Sequence, residues 1–245
     1  MSKGLERTTR MTTVPHDHVY ALGQSALVMA HGEIGLVYRL PKYLRYLRQT
    51  YAGKKGLKVL ELGSGAGEIY TLLSQDWPDF VETWTCSDVS WHGARQERQR
   101  GAARTLQMDA ARLSFPSNSF DLVVSLDVMH HVGDPRLMAQ EMLRVTRRYF
   151  FLAEANGFSP LRKLGEKNTL ARRFEERSYA PQQYLAFFGD NHLRNVRMQP
   201  SFVFVPPKTA HSLIPVVTAI NERLENVPGL RWMGTAVILS GEKEG

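Results

Sequence analysis

Apolar runs alternate with helix-like segments from about residue 57 to residue 154. Each run is followed by a turn signal and by a stretch whose apolar residues recur at helical spacing. This pattern predicts repeated strand–helix units and a mostly parallel sheet. Two of the runs, DLVVSL and YFFLAE, are almost continuously apolar, so we expect central strands that are covered on both faces. The predicted strands of this block are LKVLEL, VETWTCSD, ARTLQMD, FDLVVSL and RYFFLAE.

The chain before this block is predicted to be helical. Amphipathic patterns over residues 18–30 and 33–51 indicate two helices, and Pro41 is expected to kink or break the second one. We interpret residues 1–52 as an N-terminal helical cap on a domain of residues 53–245.

The chain after this block is predicted to add an insertion and the last strands. Residues 156–178 are basic and contain no clear strand, so we expect an insertion or lid there. Ser159 followed by Pro160 is typical of a helix start. The remaining chain predicts a helix, a strand, a longer helix and a final strand. The expected fold is therefore α/β, with a doubly wound, mostly parallel sheet of seven strands.

Length and composition fit one domain with additions. The chain has 245 residues, of which 43% are hydrophobic, and this length suits a single core. No run approaches a membrane span, and the first thirty residues are too polar for a secretory signal. The single cysteine, Cys86, excludes an internal disulfide framework and a multi-cysteine metal site. We therefore expect a cytoplasmic protein without a transmembrane segment and without a bound metal.

The net charge of +7 is spread over several segments. It favours anionic partners in general, such as nucleic acid, a phosphorylated small molecule or an anionic lipid surface, without choosing among them. Solvated helix faces explain the same charge equally simply.

Three alternate glycines, Gly63, Gly65 and Gly67, follow the first predicted strand. Glycine allows positive φ angles and lets a ligand approach the backbone, although a tight strand-to-helix connection explains the same residues. A P-loop requires Lys and then Ser or Thr where Glu68 and Ile69 stand. A dinucleotide fingerprint requires glycine at position 68, where a carboxylate would repel a pyrophosphate. The loop is therefore predicted to bind a ligand without phosphate at this point.

Carboxylates at the ends of successive strands suit a nucleoside joined to an amino group. Glu61 precedes the turn and suits an amino group better than a phosphate. Asp88 ends the second strand, where a carboxylate can accept both hydroxyls of a ribose, and the alternative role is an N-cap of the next helix. Asp109 follows the third strand and is placed to accept from the exocyclic amine of adenine.

The motifs resemble those of the class I S-adenosylmethionine-dependent methyltransferases, in the small-molecule branch that includes the quinone-biosynthesis enzymes. ELGSGAG is similar to the family's first motif, Asp88 to its second, and MDAARLSFPSNSFDLVVSLDVMHHV to its third and fourth together. The resemblance covers residues 57–154 strongly and implies a Rossmann-like methyltransferase fold. It leaves the N-terminal helices and residues 156–178 outside.

The resemblance also implies a set of cofactor contacts for S-adenosylmethionine, with S-adenosylhomocysteine as product. The methionine part is expected to meet Glu61, Gly63, Ser64, Gly65 and Gly67, and Leu126 is expected beside its end. The nucleoside is expected to meet Asp88 at the ribose and Val89, Asp109 and Ala110 at the adenine.

Catalysis requires a base only if the acceptor arrives protonated. His130 and His131 follow the fourth strand, and imidazole titrates near neutrality, so these are the candidate bases. Packing and capping of the next helix is the alternative role for both. The reaction is predicted to be methyl transfer to oxygen, nitrogen or carbon by in-line displacement.

The acceptor is predicted to be a small molecule of aromatic, lipidic or anionic character. LDVMHHV replaces the Asn/Asp-Pro-Pro-aromatic motif of amide and nucleobase nitrogen methylation, and Cys86 is on the wrong strand end for cytosine attack. The aromatic candidates for substrate contact are Tyr20, Tyr38, Phe158 and Tyr179. Basic residues of 156–178 allow weak contact with a membrane surface.

Two other functions remain open at the level of the sequence. The pI of about 9.6 leaves an RNA methyltransferase as an alternative, although the motifs disfavour nucleic acid as a partner. A protein that binds the cofactor and transfers nothing, acting as a partner of another protein, is the alternative from a different class. The sequence does not define the oligomeric state.

Overall fold

The computed structural model describes residues 38–244 except 66, 100–103, 166–176, 190–192 and 207–208. The strands are β1 Leu57–Leu62, β2 Val81–Asp88, β3 Arg104–Gln107, β4 Phe120–Leu126, β5 Thr146–Ala155, β6 Leu193–Ser201 and β7 Ala236–Lys243. The α-helices are α1 Leu40–Thr50, α2 Glu68–Asp76, α3 Trp91–Gln99, α4 Pro135–Val145, α5 Pro160–Gly165, α6 Pro181–Phe187 and α7 Ile214–Glu225. Short 3₁₀ turns cover Pro78–Phe80, Met129–His131, His211–Leu213 and Leu230–Met233.

The strands form one sheet in the order β3-β2-β1-β4-β5-β7-β6. The pairs β1 to β2, β2 to β3, β1 to β4 and β4 to β5 are parallel. Only β7 runs against its neighbours β5 and β6 among the described strands. The predicted seven-stranded, mostly parallel α/β sheet is therefore confirmed.

Both faces of the sheet are covered, as the continuously apolar strands predicted. Val59, Leu122 and Phe151 belong to one buried cluster, which includes residues of α1. Leu60 and Val123 belong to the cluster on the other face, which includes residues of α4. Successive residues of a strand point to opposite faces, so each central strand contributes to both clusters.

Helix α1 is part of the core beneath the sheet. A π-helical turn at residues 38–39 precedes it, and Pro41 lies in its first turn, where a missing N–H costs no helical hydrogen bond. Tyr51, just after the helix, donates its hydroxyl to the carbonyl of Phe150 at 2.7 Å. The helix predicted over 18–30 lies outside the described residues, and the boundary at residue 52 stays a prediction.

The predicted insertion contains the helix start expected at Ser159 and Pro160, because α5 begins at Pro160 directly after the buried Ser159. Its residues 166–176 lie outside the described part, so its role as a lid stays a prediction. Among the described helices, none is long and apolar enough to cross a membrane.

Candidate functional site

The ends of the parallel strands bring the predicted site residues to one edge of the sheet. Leu62 at the end of β1 is in register with Ser87 of β2 and with Ser125 of β4. Asp88 at the end of β2 is in register with Gln107 at the end of β3. The glycine loop and the segments after β2, β3 and β4 therefore leave the sheet at the same level, where open α/β sheets bind ligands.

The glycine loop requires glycine for its backbone. Gly63, Gly65 and Gly67 have φ angles of +66°, +60° and +82°, in the left-handed region that side chains other than glycine disfavour. A Cβ on Gly63 would also lie 2.3 Å from Cγ2 of Val128. The loop therefore packs against the segment that follows β4.

Asp88 holds two backbone segments together at the end of β2. Its Oδ2 accepts from the N–H of Gly65 at 2.9 Å, and its Oδ1 accepts from the N–H of Ser90 at 2.8 Å. The cap of α3 is Ser90, whose hydroxyl accepts from the N–H of Gly93 at 3.1 Å. The alternative interpretation of Asp88 as the helix N-cap is therefore wrong, and its carboxylate lies against the glycine loop.

An exposed apolar side chain and an exposed carboxylate lie beyond the ends of β2 and β3. Val89 is 43% exposed, and its carbonyl accepts from the side-chain amide of Gln107 at 3.1 Å. The exposed Asp109 accepts from the N–H of Ala111 through Oδ1 at 2.8 Å. Ala110 is half-buried and packs against the core cluster that contains α4. A flat apolar ring and an amine donor would match this pair of side chains.

Glu61 is buried within the sheet edge. Only 1% of its surface is exposed, and its Oε2 accepts from the indole N–H of Trp84 on β2 at 2.8 Å. Leu126, at the end of β4, is half-buried against the cluster that contains α1. Both residues lie at the strand ends that flank the glycine loop.

The turn after β4 carries both candidate histidines. His130 is 5% exposed and its Nδ1 lies 2.6 Å from Oε2 of Glu154. His131 is half-buried, and its ring centroid is 4.0 Å from that of His130. The N–H of Arg177, directly after the insertion's undescribed part, donates to the carbonyl of His130 at 3.1 Å. The end of the insertion thus contacts the turn.

Three charged residues near this turn were missed by the sequence analysis: Glu154, Asp127 and Arg39. Burial raises the pKa of Glu154 to about 7, although backbone N–H groups and Arg39 oppose this effect. Arg39 pairs with Asp127 through Nη2 and Oδ1 at 2.5 Å. Burial disfavours the charge of Arg39, but Asp127, Tyr43 and Glu154 together outweigh this effect, so the pKa of Arg39 is raised. The signal for Glu154 was a lone acid in the apolar run YFFLAE, whereas Arg39 had no local signal.

The aromatic candidates occupy different environments. Tyr38 is buried and its hydroxyl accepts from Asn221 at 2.8 Å, within the core beneath the sheet. Phe158 is 63% exposed, and Tyr179 is half-buried with its ring edge-on to Phe187. Tyr20 lies outside the described residues. Of these candidates, Tyr179 lies two positions after Arg177, which contacts the turn of His130, and Tyr38 lies in the core.

Comparison with known proteins matches the central block to one family. Residues 60–151 match the family model described as a methyltransferase domain. A 2-methyl-6-phytyl-1,4-hydroquinone methyltransferase of Synechocystis sp. is 32% identical over 93 residues, which are 38% of this chain and 29% of that protein. A malonyl-[acyl-carrier protein] O-methyltransferase of Paenibacillus sp. is 28% identical over 152 residues, which are 59% of this chain and 55% of that protein. The chain thus spans between 29% and 55% of these relatives.

A solved structure shares the fold. The crystal structure of a SAM dependent methyltransferase from Archaeoglobus fulgidus is similar with a TM-score of 0.61 at 17% identity, over 88% of this chain and 97% of that chain. The Rossmann-like methyltransferase fold that the motifs implied is confirmed by this similarity and by the strand order. The family resemblance is confirmed by the match over residues 60–151.

Proposed function

We propose that this chain, whose residues 60–151 form a methyltransferase domain by sequence, binds S-adenosylmethionine and transfers its methyl group to a small-molecule acceptor. One observation carries the proposal: Asp88 ends β2 beside a loop of left-handed glycines, the exposed Val89 follows it, and Asp109 follows the adjacent strand β3. Residues 61–90 contain no Lys or Arg. This set of groups suits a nucleoside with an amino acid and does not suit a phosphate.

The proposed cofactor contacts follow the strand ends. The ribose lies at Asp88, and the adenine lies over Val89 with its amine towards Asp109 and its edge at Ala110. The methionine part lies along Gly63, Ser64, Gly65 and Gly67, with Glu61 near the amino group and Leu126 beside the methyl end.

Methyl transfer depends more on the alignment of the acceptor atom with the methyl carbon than on general acid–base catalysis. When bound, S-adenosylmethionine supplies a methyl group on a positively charged sulfur, and the bond electrons remain with the sulfur when the methyl leaves. The chain's residues hold the acceptor in line and exclude water, and orientation of this kind contributes roughly 7 to 11 kcal/mol. For an acceptor that arrives protonated, His130 or His131 takes the proton.

The proposed acceptor is a small molecule of aromatic, lipidic or anionic character. One relative's name specifies a phytyl hydroquinone and another's specifies a malonyl group on a carrier protein, so a lipidic ring and an acidic chain are the first candidates. Residues 156–178 act as the lid, with Phe158 and Tyr179 in contact with the acceptor. Tyr38 is not part of this contact, because it lies in the core with its hydroxyl bonded to Asn221. A contact of Tyr20 and the cytoplasmic location stay predictions.

Isothermal titration calorimetry with S-adenosylmethionine tests the site. In Asp109→Asn, Oδ1 can still accept from Ala111, while the second oxygen becomes an amide that repels the amine of adenine. We expect a loss of affinity of roughly tenfold or more, the effect of a hydrogen bond to a charged group. Asp79→Asn is the matched control, because Asp79 lies before β2 and its exposed carboxylate pairs with the exposed Lys55. Equal affinity of wild type and Asp109→Asn would refute the adenine contact.

Turnover separates the enzyme from a protein that only binds the cofactor. We expect S-adenosylhomocysteine to accumulate with at least one member of a panel of hydroquinones, phenols, amines and malonyl thioesters. Tight binding of S-adenosylmethionine with no product across the panel would favour the non-catalytic alternative.

A further inference from the structure

Glu154 is a buried acid at the end of an apolar strand. It interrupts the run from Tyr149 to Ala155 in β5, and none of its surface is exposed. A carboxylate in such a place is costly unless hydrogen bonds compensate for its lost hydration. Its contacts therefore indicate what it does in the fold.

The carboxylate binds the whole turn that follows β4. Oε1 accepts from the N–H groups of Val128 and Met129 at 3.0 and 2.8 Å. Oε2 lies 3.4 Å from the backbone nitrogen of His130 and 2.6 Å from Nδ1 of its ring. Three consecutive backbone donors and one ring nitrogen thus converge on a single side chain.

Burial raises the pKa of Glu154 to about 7, so above that pH its carboxyl is ionised and acts as the acceptor in this contact. Backbone N–H groups can only donate, and Arg39 lies close enough to favour a negative charge. The ring nitrogen that faces an ionised carboxylate must carry a proton. In a neutral imidazole the other nitrogen, Nε2, then holds the lone pair.

We propose that Glu154 is the positioning residue of the site: its carboxylate fixes the Nδ1–H tautomer of His130 and so makes Nε2 of His130, rather than His131, the proton acceptor. The choice between the two histidines rests on the proposed methyl transfer. The proton that the acceptor loses passes to Nε2, and the Glu154 carboxylate then stabilises the positive ring. The acceptor's electron pair, freed of its proton, forms the bond to the methyl carbon.

The variant Glu154→Gln separates the two contacts of the carboxylate. The amide oxygen can replace Oε1 and still accept from Val128 and Met129, while the NH₂ group replaces Oε2 opposite His130. Because NH₂ donates, Nδ1 must accept, and the ring proton moves to Nε2. A purely structural role would leave the tautomer unchanged.

Nitrogen-15 NMR of histidine-labelled protein at pH 8 reads the tautomer directly, and His130→Asn assigns the signals. Burial raises the pKa of Glu154 to about 7, and pH 8 lies above this value, so the acid is ionised in the experiment. We expect the Nδ1–H form of His130 in the wild type and the Nε2–H form in Glu154→Gln. Glu141→Gln is the matched control, because Glu141 also accepts a backbone N–H, that of Leu113 at 2.7 Å, and is expected to leave the His130 signals in place.

Kinetics with methylhydroquinone as acceptor test the second half of the proposal. We expect kcat to fall roughly 100-fold or more in Glu154→Gln and His130→Asn, the usual contribution of a general base. The affinity for S-adenosylmethionine is expected to change severalfold at most, and His131→Asn is expected to lose much less rate than His130→Asn.

Two results would overturn the proposal: an Nε2–H tautomer of His130 in the wild type, or a loss of rate in His131→Asn as large as that in His130→Asn. If Glu154→Gln does not fold, the wild-type spectrum alone decides. Absence of turnover by the wild type would count against the proposed function, whereas the spectra would still decide the role of Glu154.

Discussion

Gly63 is constrained by its backbone and by its neighbour. Its φ of +66° lies in the left-handed region, and a Cβ there would overlap the side chain of Val128 at 2.3 Å. Left-handed backbone costs an ordinary residue about 1–2 kcal/mol, and overpacking typically adds about 1–3 kcal/mol. The two costs can be separated by a second glycine of similar φ.

We therefore predict that Gly63→Ala lowers the free energy of unfolding by roughly 2–5 kcal/mol, the sum of both costs. Gly56→Ala is the control, because its φ is +63° and its Cβ would meet nothing within 4 Å. Val128→Ala added to Gly63→Ala is expected to recover part of the steric cost. Denaturant unfolding measures all three, and equal losses for Gly56→Ala and Gly63→Ala would contradict the close approach.

The raised pKa of Glu154 makes stability depend on pH. The folded protein holds this proton up to a pKa of about 7, against an ordinary value of 4.5. Between these values the folded state binds more protons than the unfolded state, so the contribution to stability is complete below pH 4.5 and falls as the pH rises to 7. The titratable groups around it are His130, Arg39, Tyr43 and Tyr184.

We predict that, between pH 4.5 and 7, the free energy of unfolding falls by roughly 3 kcal/mol more with Glu154 than with Glu154→Gln, because the amide does not titrate. This value follows from about 1.4 kcal/mol for each unit by which the pKa is raised. The two proteins are compared in the His130→Asn background, so that the neighbouring imidazole does not titrate. Denaturant unfolding at a series of pH values measures the difference. Parallel pH curves would show that the acid is not buried as described.

Helix α1 and the turn after β4 are joined by one buried ion pair. The side chains of Arg39 and Asp127 are 7% and 11% exposed, and Arg39 also donates to the hydroxyl of Tyr43 at 2.8 Å. Asp127 adopts a φ of +57°, a conformation that Asp and Asn tolerate better than other side chains. Arg39, directly before α1, thereby fixes Asp127, and the turn begins two positions later at Met129.

We predict that Arg39→Met destabilises the protein by about 3–5 kcal/mol, because it leaves the buried Asp127 without its cation. Arg39→Met combined with Asp127→Asn is expected to recover most of this loss, since the amide is uncharged and suits the positive φ. Arg45→Met on the same helix is the control, because its pair with Glu222 is exposed and worth at most about 1 kcal/mol. A loss from Arg39→Met no larger than that from Arg45→Met would contradict the coupling.

The strands and the glycine loop could be predicted wherever a local sequence pattern determines the structure. The strands LKVLEL, VETWTCSD and FDLVVSL coincide with β1, β2 and β4, because each combines β-branched or aromatic residues with a turn signal at its end. The strand predicted as RYFFLAE extends over Thr146–Ala155, since its first residues pair with β4 although they are polar. The glycine loop and the acidic strand ends were likewise readable from the chain.

The rest of the site depends on contacts between distant residues. Arg39 and Asp127 are 88 positions apart, and Glu154 meets His130 from 24 positions away. No local pattern marks such partners, because their contacts depend on the parallel pairing of β4 with β5 and on the packing of α1 against the sheet. Glu154 could have been noticed as an acid in an apolar run, but its partner could not.

Part of the positive charge on the described surface is paired with carboxylates. Arg147 pairs with Asp121, Arg144 with Glu141, Arg148 with Glu242 and Arg194 with Glu244. Such pairs weaken the continuous basic surface that the phosphates of RNA require. The described surface therefore gives the RNA alternative less support than the net charge alone suggested.

One ligand is expected to bind along one edge of the sheet, and a crystal structure with S-adenosylhomocysteine tests this claim most directly. We predict adenine against Val89 with its amine at Asp109, ribose hydroxyls at Asp88, and sulfur facing the turn of His130. A product molecule bound away from the ends of β1, β2 and β4, or with its adenine and methionine ends exchanged, would contradict the account.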